Sequence, residues 1–265
     1  MTTIFDFYKK KAANEKITMV TCYDYTSARI VAQTDVDCLL VGDSAAMTMH
    51  GFKDTLPATL EMMVFHTAAV SRGAGNKFLI SDLPFLAYRK SLSKNITAVQ
   101  SLMQAGAQAV KLEGAAGNIS FIRHLVESGI PVMGHIGLTL QMIHTLGGFK
   151  VQGKTQESAA RLKEEALQLQ EAGCFAVVLE CVPNALGKEI TQLLSIPTIG
   201  IGAGPDTDGQ VLVFQDLLGL NIDFKPKFVK TFVNGYEQVK NGIDAYVNAV
   251  KTGAFPQDEH CYQNK

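Results

Sequence analysis

Eight short runs rich in β-branched residues, separated by helix-like segments and often closing on a polar residue, predict an α/β fold, a single-domain (β/α)8 TIM barrel. Size agrees with this: 265 residues with 47% hydrophobic content can bury one large core, and such barrels commonly occupy about 250 residues. An internal echo points the same way. "AGAQAVKLE" (Ala105 to Glu113) and "AGCFAVVLE" (Ala172 to Glu180) both run from a helix-ending Ala-Gly through a strand to a Glu, and "IPVMGH" and "IPTIGI" form a weaker pair. A doubly wound open sheet is the alternative.

After a short N-terminal helix, the strands are expected in "ITMVTCYD", "VDCLLVGDS", "KFLISDLP", "AQAVKLEG", "PVMGHIGL", "CFAVVLEC", "IPTIGIGAG" and "QVLVF". They lack a polar-apolar alternation, as parallel strands covered on both faces do. The clearest helix runs from Gln156 to Ala172, with Ala159, Leu162, Ala166 and Leu169 on one face and Arg161, Lys163, Glu164 and Glu165 on the others. Gly173 stops it. Beyond Gln215, "NGYEQVKNGIDAYVNAVKTG" spaces Ile243, Tyr246, Val247 and Val250 as one helical face and predicts a C-terminal helical extension packed on the core.

Composition excludes several classes. The formal net charge is −1, and the longest run of like charge is Lys9-Lys10-Lys11, so nothing advertises nucleic acid or an anionic membrane. A small neutral or anionic ligand fits better. The N-terminal "MTTIFDFYKKK" sets apolar residues before its charges, the wrong order for a signal peptide, and no apolar run approaches a bilayer span. A cytoplasmic protein is expected. The five cysteines (Cys22, Cys38, Cys174, Cys181 and Cys261) form no CxxC pair, which argues against a disulfide framework or a zinc cluster.

The strand ends carry the chemistry. Asp24, Asp43, Asp82, Glu113 and Glu180 each close a strand-like run, with Lys111 and His135 nearby. In a barrel all strand C-termini share one rim, where active sites of this fold are built. Carboxylates converging there unpaired would each cost on the order of several kcal/mol, so the cluster requires a cation, a lysine or protons. All-oxygen ligation by one or two carboxylates, completed by substrate and water, suits Mg²⁺. Asp24 precedes "YTSARIVAQ" and reads equally well as a helix N-cap, so it is set aside. Asp43 is followed by a glycine-free loop, and Asp82 stands before a helix-hostile Leu-Pro, which favours ligands over caps. Lys111 and Glu113 form a surface ion pair if their strand lies at an edge, whereas in a central strand both point into the barrel. A lone histidine is by default a satisfied core residue, but His135 lies near a strand end. Glu180 follows three apolar residues, and a carboxylate in such a place makes a good base. His50, His66, His124 and His144 show no metal-ligand spacing.

Two further motifs are weak. "GIGAG" (Gly200 to Gly204) is not a dinucleotide fingerprint, since Pro205 holds the last glycine's place. "GDS" (Gly42 to Ser44) resembles the nucleophile block of GDSL-type serine hydrolases, but "QDEH" puts Gln257, not Asp, three before His260.

Taken together, "TCYDYTSA", "VGDSAAM", "SDLPF", "VKLEG", "GHIGLT", "GGFKVQG", "VLECVP", "PTIGIGAG", "DGQVLV" and "FPQDEH", in this order from about residue 21 to 260, resemble the ketopantoate hydroxymethyltransferase family. The resemblance implies a (β/α)8 barrel and an Mg²⁺-dependent, aldol-type transfer of a hydroxymethyl group from 5,10-methylenetetrahydrofolate to 3-methyl-2-oxobutanoate, within pantothenate and coenzyme A synthesis. It also implies a cytoplasmic homo-oligomer, often a decamer. Position by position, Asp43 and Asp82 match direct magnesium ligands that also meet the substrate, and Glu113 matches a carboxylate completing the metal shell, directly or through water. Ser44, Lys111 and His135 match groups around the bound 2-oxo acid, and Glu180 matches the catalytic base. The sequence departs from the family pattern at Ala45-Ala46, where Leu-Gly is usual, at Leu140, where Pro is common, and at Ala115, where a second glycine is frequent. None of these removes a catalytic group. A lyase of the isocitrate lyase or phosphoenolpyruvate mutase kind shares the metal logic and would need its own substrate clamp. A non-enzymatic scaffold would have no need of converging carboxylates.

Overall fold

A computed structural model describes residues 2–222 and 225–263. The chain divides into two compact units, one up to Val213 and one from Phe214 onward.

The first unit is the barrel. Its elements in chain order are α1 (Ile4–Ala13), β1 (Ile17–Thr21), α2 (Tyr25–Ala32), β2 (Cys38–Val41), α3 (Ala45–Thr48), α4 (Leu60–Gly73), β3 (Phe78–Asp82), α5 (Leu92–Gln104), β4 (Ala109–Glu113), α6 (Ile119–Glu127), β5 (Val132–Gly137), α7 (Ile143–Leu146), α8 (Gln156–Glu171), β6 (Ala176–Glu180), α9 (Asn184–Leu193), β7 (Thr198–Ile201) and β8 (Gly209–Leu212). All eight expected strands are present. They pair in parallel in sequence order, and β8 returns to β1 through Ile17↔Gly209 and Val20↔Leu212, so the sheet is closed rather than doubly wound.

Alternate residues of each strand face the barrel interior. The lower interior is apolar: Met19, Leu40, Ile80, Met133, Val178 and Ile199 pack in one buried cluster. α1 closes the end of the barrel where the strands begin. Its Phe7 is buried in the same cluster, edge-on to Phe78 and Phe175 at ring distances of 5.6 and 5.4 Å. Such aromatic pairs add about 0.5–1.5 kcal/mol each beyond the area they bury. The basic run is a staple for this plug, since Lys10 pairs with Asp37 at 2.6 Å and Lys11 with Asp208 at 2.7 Å.

α8 forms as its pattern predicts, with Leu162, Ala166 and Leu169 buried. Thr155 caps its start, and Gly173, at φ 98°, takes the left-handed conformation that ends it. Asp24 is a cap: its carboxylate accepts the Ser27 N–H at 2.9 Å and the Ser27 hydroxyl at 2.6 Å. The segment after Asp43 is the one-turn helix α3, with Ser44 before its first residue, where a loop was expected.

The second unit contains α10 (Phe214–Leu217) and α11 (Gly235–Thr252), the expected C-terminal helix. Its spaced apolar residues fall on one helical face. Val239, Ile243, Tyr246, Val247 and Val250 are all exposed. Helical spacing of apolar residues reports that a face needs cover, and does not identify what covers it.

Candidate active site

Three of the candidate residues are the last residues of their strands, and this fixes their direction. In β3, Phe78, Ile80 and Asp82 share the inward row, as do Ala109, Lys111 and Glu113 in β4 and Ala176, Val178 and Glu180 in β6. The register then sets Asp82 beside Lys111 and Glu113 beside His135. The inward row that is apolar below becomes charged at the rim, and Asp43, two residues beyond the end of β2, joins it from the neighbouring strand.

The contacts are dense. Lys111 Nζ lies 3.1 Å from Asp82 Oδ1 and 3.4 Å from His135 Nδ1. The Asp43 N–H donates to Asp82 Oδ2 at 3.1 Å. His135 lies between two carboxylates, with Nδ1 at 3.3 Å from Glu113 Oε1 and Nε2 at 3.2 Å from Glu180 Oε2. Asp43, Asp82, Lys111, Glu113 and His135 are buried, whereas the Glu180 side chain keeps 15% of its surface exposed. Glu180 is therefore the carboxylate that faces the opening. Just beyond it, Cys181 has φ 49°, a left-handed conformation costing a non-glycine residue on the order of 1–3 kcal/mol. That turn is pinned by the Cys181 N–H to Ile201 O at 2.9 Å and by the Gln152 N–H to Cys181 O at 2.8 Å.

Ser44 joins at one remove. Its hydroxyl pairs with the Tyr23 hydroxyl at 2.8 Å rather than with a histidine, which leaves the serine-hydrolase alternative without its base. Gly42 permits this approach, because a Cβ there would lie 2.8 Å from Ser44 Oγ and 3.6 Å from Asp82 Oδ2.

Crowded charge shows in the titration. Burial drives the Asp43 carboxyl well above its ordinary range, reinforced by Asp82 and Glu113 and opposed by Lys111 and Gln141. Burial also raises Asp82, against the pull of Lys111. Burial opposes ionisation of Glu113 as well, but His135, Lys111 and the Gln141 N–H outweigh it and hold that carboxyl below its usual range. For His135, burial and the Lys111 charge act downward, yet Glu113 and Glu180 prevail and lift its pKa to about 9. His135 is thus a cation at neutral pH.

Three residues that the sequence did not single out complete the site. Gln141 donates through Nε2 to Asp43 Oδ2 at 2.8 Å and through its backbone N–H to Glu113 Oε2 at 3.0 Å. Tyr88 donates its hydroxyl to Gln141 Oε1 at 2.8 Å. Tyr23 holds Ser44, and the Tyr23 carbonyl in turn accepts from His66 Nδ1 at 2.6 Å. No spacing rule marks them, since each meets its partner beyond the end of a different strand.

Two features bear on a metal. Asp82 Oδ1 is buried against the Lys111 ammonium at 3.1 Å, and a carboxylate oxygen with one such partner keeps lone-pair capacity for a further cation. Among the described residues, no three His, Cys, Asp or Glu side chains are grouped so as to hold a metal by themselves. The protein therefore offers carboxylate oxygens for part of a coordination shell only.

A closed parallel barrel whose polar centre spans the C-terminal ends of five consecutive strands defines an enzyme of the (β/α)8 class. Solved structures agree on the fold: phosphonopyruvate hydrolase, in complex with oxalate and Mg++, superposes with a TM-score of 0.63 at 11% identity, covering 99% of this chain and 92% of that one. 2,3-Dimethylmalate lyase gives a TM-score of 0.61 at 16% identity, with coverage of 99% and 92%. The family model described as ketopantoate hydroxymethyltransferase matches residues 1–258. The 3-methyl-2-oxobutanoate hydroxymethyltransferase of Bdellovibrio bacteriovorus is 59% identical over 99% of this chain and 100% of its own length, and that of Coxiella burnetii is 61% identical over 97% of each. The chain belongs to the ketopantoate hydroxymethyltransferase family, and it is a transferase.

Proposed function

We propose that the protein transfers a hydroxymethyl group from 5,10-methylenetetrahydrofolate to 3-methyl-2-oxobutanoate, forming ketopantoate, with Mg²⁺ held by Asp43 and Asp82. Glu113 completes the shell, directly or through water. The observation that carries this reading is the single charged row formed by Asp82, Lys111, Glu113, His135 and Glu180 on one rim. The buried carboxylates of Asp43 and Asp82 fit a hard divalent cation, and a partial protein shell leaves positions for a 2-oxo acid. When bound, Mg²⁺ supplies Lewis acidity to the keto group and so acidifies the adjoining C3–H.

The protein's own groups do the rest. Ser44, oriented by Tyr23, meets the substrate carboxylate. Lys111 offsets the carboxylate charge, and His135, a cation between Glu113 and Glu180, hydrogen-bonds the substrate. Glu180 accepts the C3 proton. The resulting carbanion bonds to the methylene carbon, both carbon–nitrogen bonds that hold that carbon to the folate break, a water supplies the hydroxyl of the product, and the C3 proton and one water proton end on the two folate nitrogens. The lyase alternative draws only on relatives at 11–16% identity, against 59–61% for the transferases.

Proton NMR of 3-methyl-2-oxobutanoate in D₂O tests this. The C3–H signal is expected to disappear with enzyme and Mg²⁺ and to persist with a chelator. Persistence even with Mg²⁺ and the folate present would refute an enolising site.

The same reading makes the protein a cytoplasmic homo-oligomer, a decamer. Among the described residues no helix is long and apolar enough to cross a membrane. The exposed apolar stripe of α11 supports association. Sedimentation should find a decamer that dissociates when Ile243 and Val247 are both changed to Asp. A wild-type monomer at micromolar concentration would rule it out.

A further inference from the structure

We infer that Gln141 is a positioning residue that couples the segment after β5 to the metal-binding carboxylates, an inference that rests on the metal reading proposed above. Its four hydrogen bonds fix it completely. Nε2 donates to Asp43 Oδ2 and, at 2.9 Å, to the Leu83 carbonyl, while Oε1 accepts from the Tyr88 hydroxyl and the backbone N–H donates to Glu113 Oε2. A carbonyl oxygen can only accept, so the Leu83 contact determines which end of the amide faces Asp43. The end that meets the carboxylate is the donor.

One side chain and its own amide thus bind one oxygen on each of two carboxylates from different strands. A glutamine does this without adding charge. A lysine at the same place would supply a donor but would neutralise the site, weakening its pull on a divalent cation. Gln141 instead selects a rotamer for Asp43 and Glu113 and stabilises them ionised, while leaving the cluster anionic.

The segment between β5 and α8 contains only a 3₁₀ turn at Leu140–Met142 and the one-turn α7. Gln141 lies in that first turn and is buried. Seating of the segment and arrangement of the carboxylates are therefore one event, since the same residue makes both sets of contacts. Tyr88, itself bonded to the Glu113 N–H at 3.3 Å, braces the amide from β4's side.

The test is Mn²⁺ affinity, measured on the full-length protein by electron paramagnetic resonance without either substrate. Gln141→Met keeps the length and removes all three side-chain bonds. Its Mn²⁺ affinity is expected to fall by roughly 10- to 100-fold, the usual loss for a group that orients a metal ligand, with an unchanged melting temperature and kcat reduced alongside. Affinity and kcat within twofold of wild type would overturn the proposal. If Gln141→Met does not fold, Tyr88→Phe decides, because it unpins the amide: weaker Mn²⁺ binding supports the proposal, and unchanged binding overturns it. A wild-type protein that binds no Mn²⁺ would instead defeat the underlying metal reading.

Discussion

Glu180→Gln should slow turnover by about 10²- to 10⁴-fold, the contribution of a positioned general base, while Mg²⁺ affinity and melting temperature stay near wild type. The asymmetry follows from where Glu180 sits. It is the most exposed carboxylate of the cluster, and its one close partner is His135 at 3.2 Å. Glutamine preserves shape and can still accept from that imidazolium, so neither the fold nor the Asp43 and Asp82 contacts should notice the change. What is lost is the capacity to take a proton. Exchange of the C3–H in D₂O should therefore vanish together with turnover. Exchange at the wild-type rate in this variant would remove Glu180 from the role of base.

Asp43→Asn should act in two opposite directions. Mg²⁺ and keto-acid affinity should fall together, by more than the roughly 10- to 100-fold that loss of an outer-shell partner costs. The metal-free protein, however, should become more stable. The sign follows from the raised carboxyl: such a group stabilises the fold below its ordinary value near 3.8, and that contribution is lost as pH climbs through the elevated folded value. Above its ordinary value, burying Asp43 costs either the desolvation of its charge or the uptake of a proton, and asparagine removes that cost. Thermal melts with and without Mg²⁺ separate the effects, since wild type should gain from the ion and the variant should not. An Asp43→Asn protein that melts lower without metal and gains normally with it would show that Asp43 is structural.

Much of this site was legible in the sequence because a closed parallel sheet converts position along a strand into position in space. Once "FLISD", "AVKLE" and "AVVLE" are taken as strands of one barrel, their final carboxylates must share a rim. Asp24 read equally well as a site residue or as a cap, and the Ser27 N–H bond to its carboxylate shows it to be a cap. Gln141 was not legible. Its partner Asp43 is 98 positions away, and a glutamine in "GLTLQM" has no local feature to distinguish it from a solvated one. Tyr23 and Tyr88 were hidden likewise, since an aromatic ring buried for its area also places a hydroxyl, and only tertiary contacts reveal which function it serves. The exposed stripe of α11 marks another limit, because a chain specifies an apolar face without naming its cover.

In β3, β4 and β6 the first inward residues fill space and the last one bears charge. An exchange at a strand's tip can thus redirect reactivity without disturbing the layer that keeps the barrel shut. Selection is then free to explore new chemistries on a scaffold whose durability is secured elsewhere. The same architecture accordingly recurs in proteins only 11–16% identical to this chain.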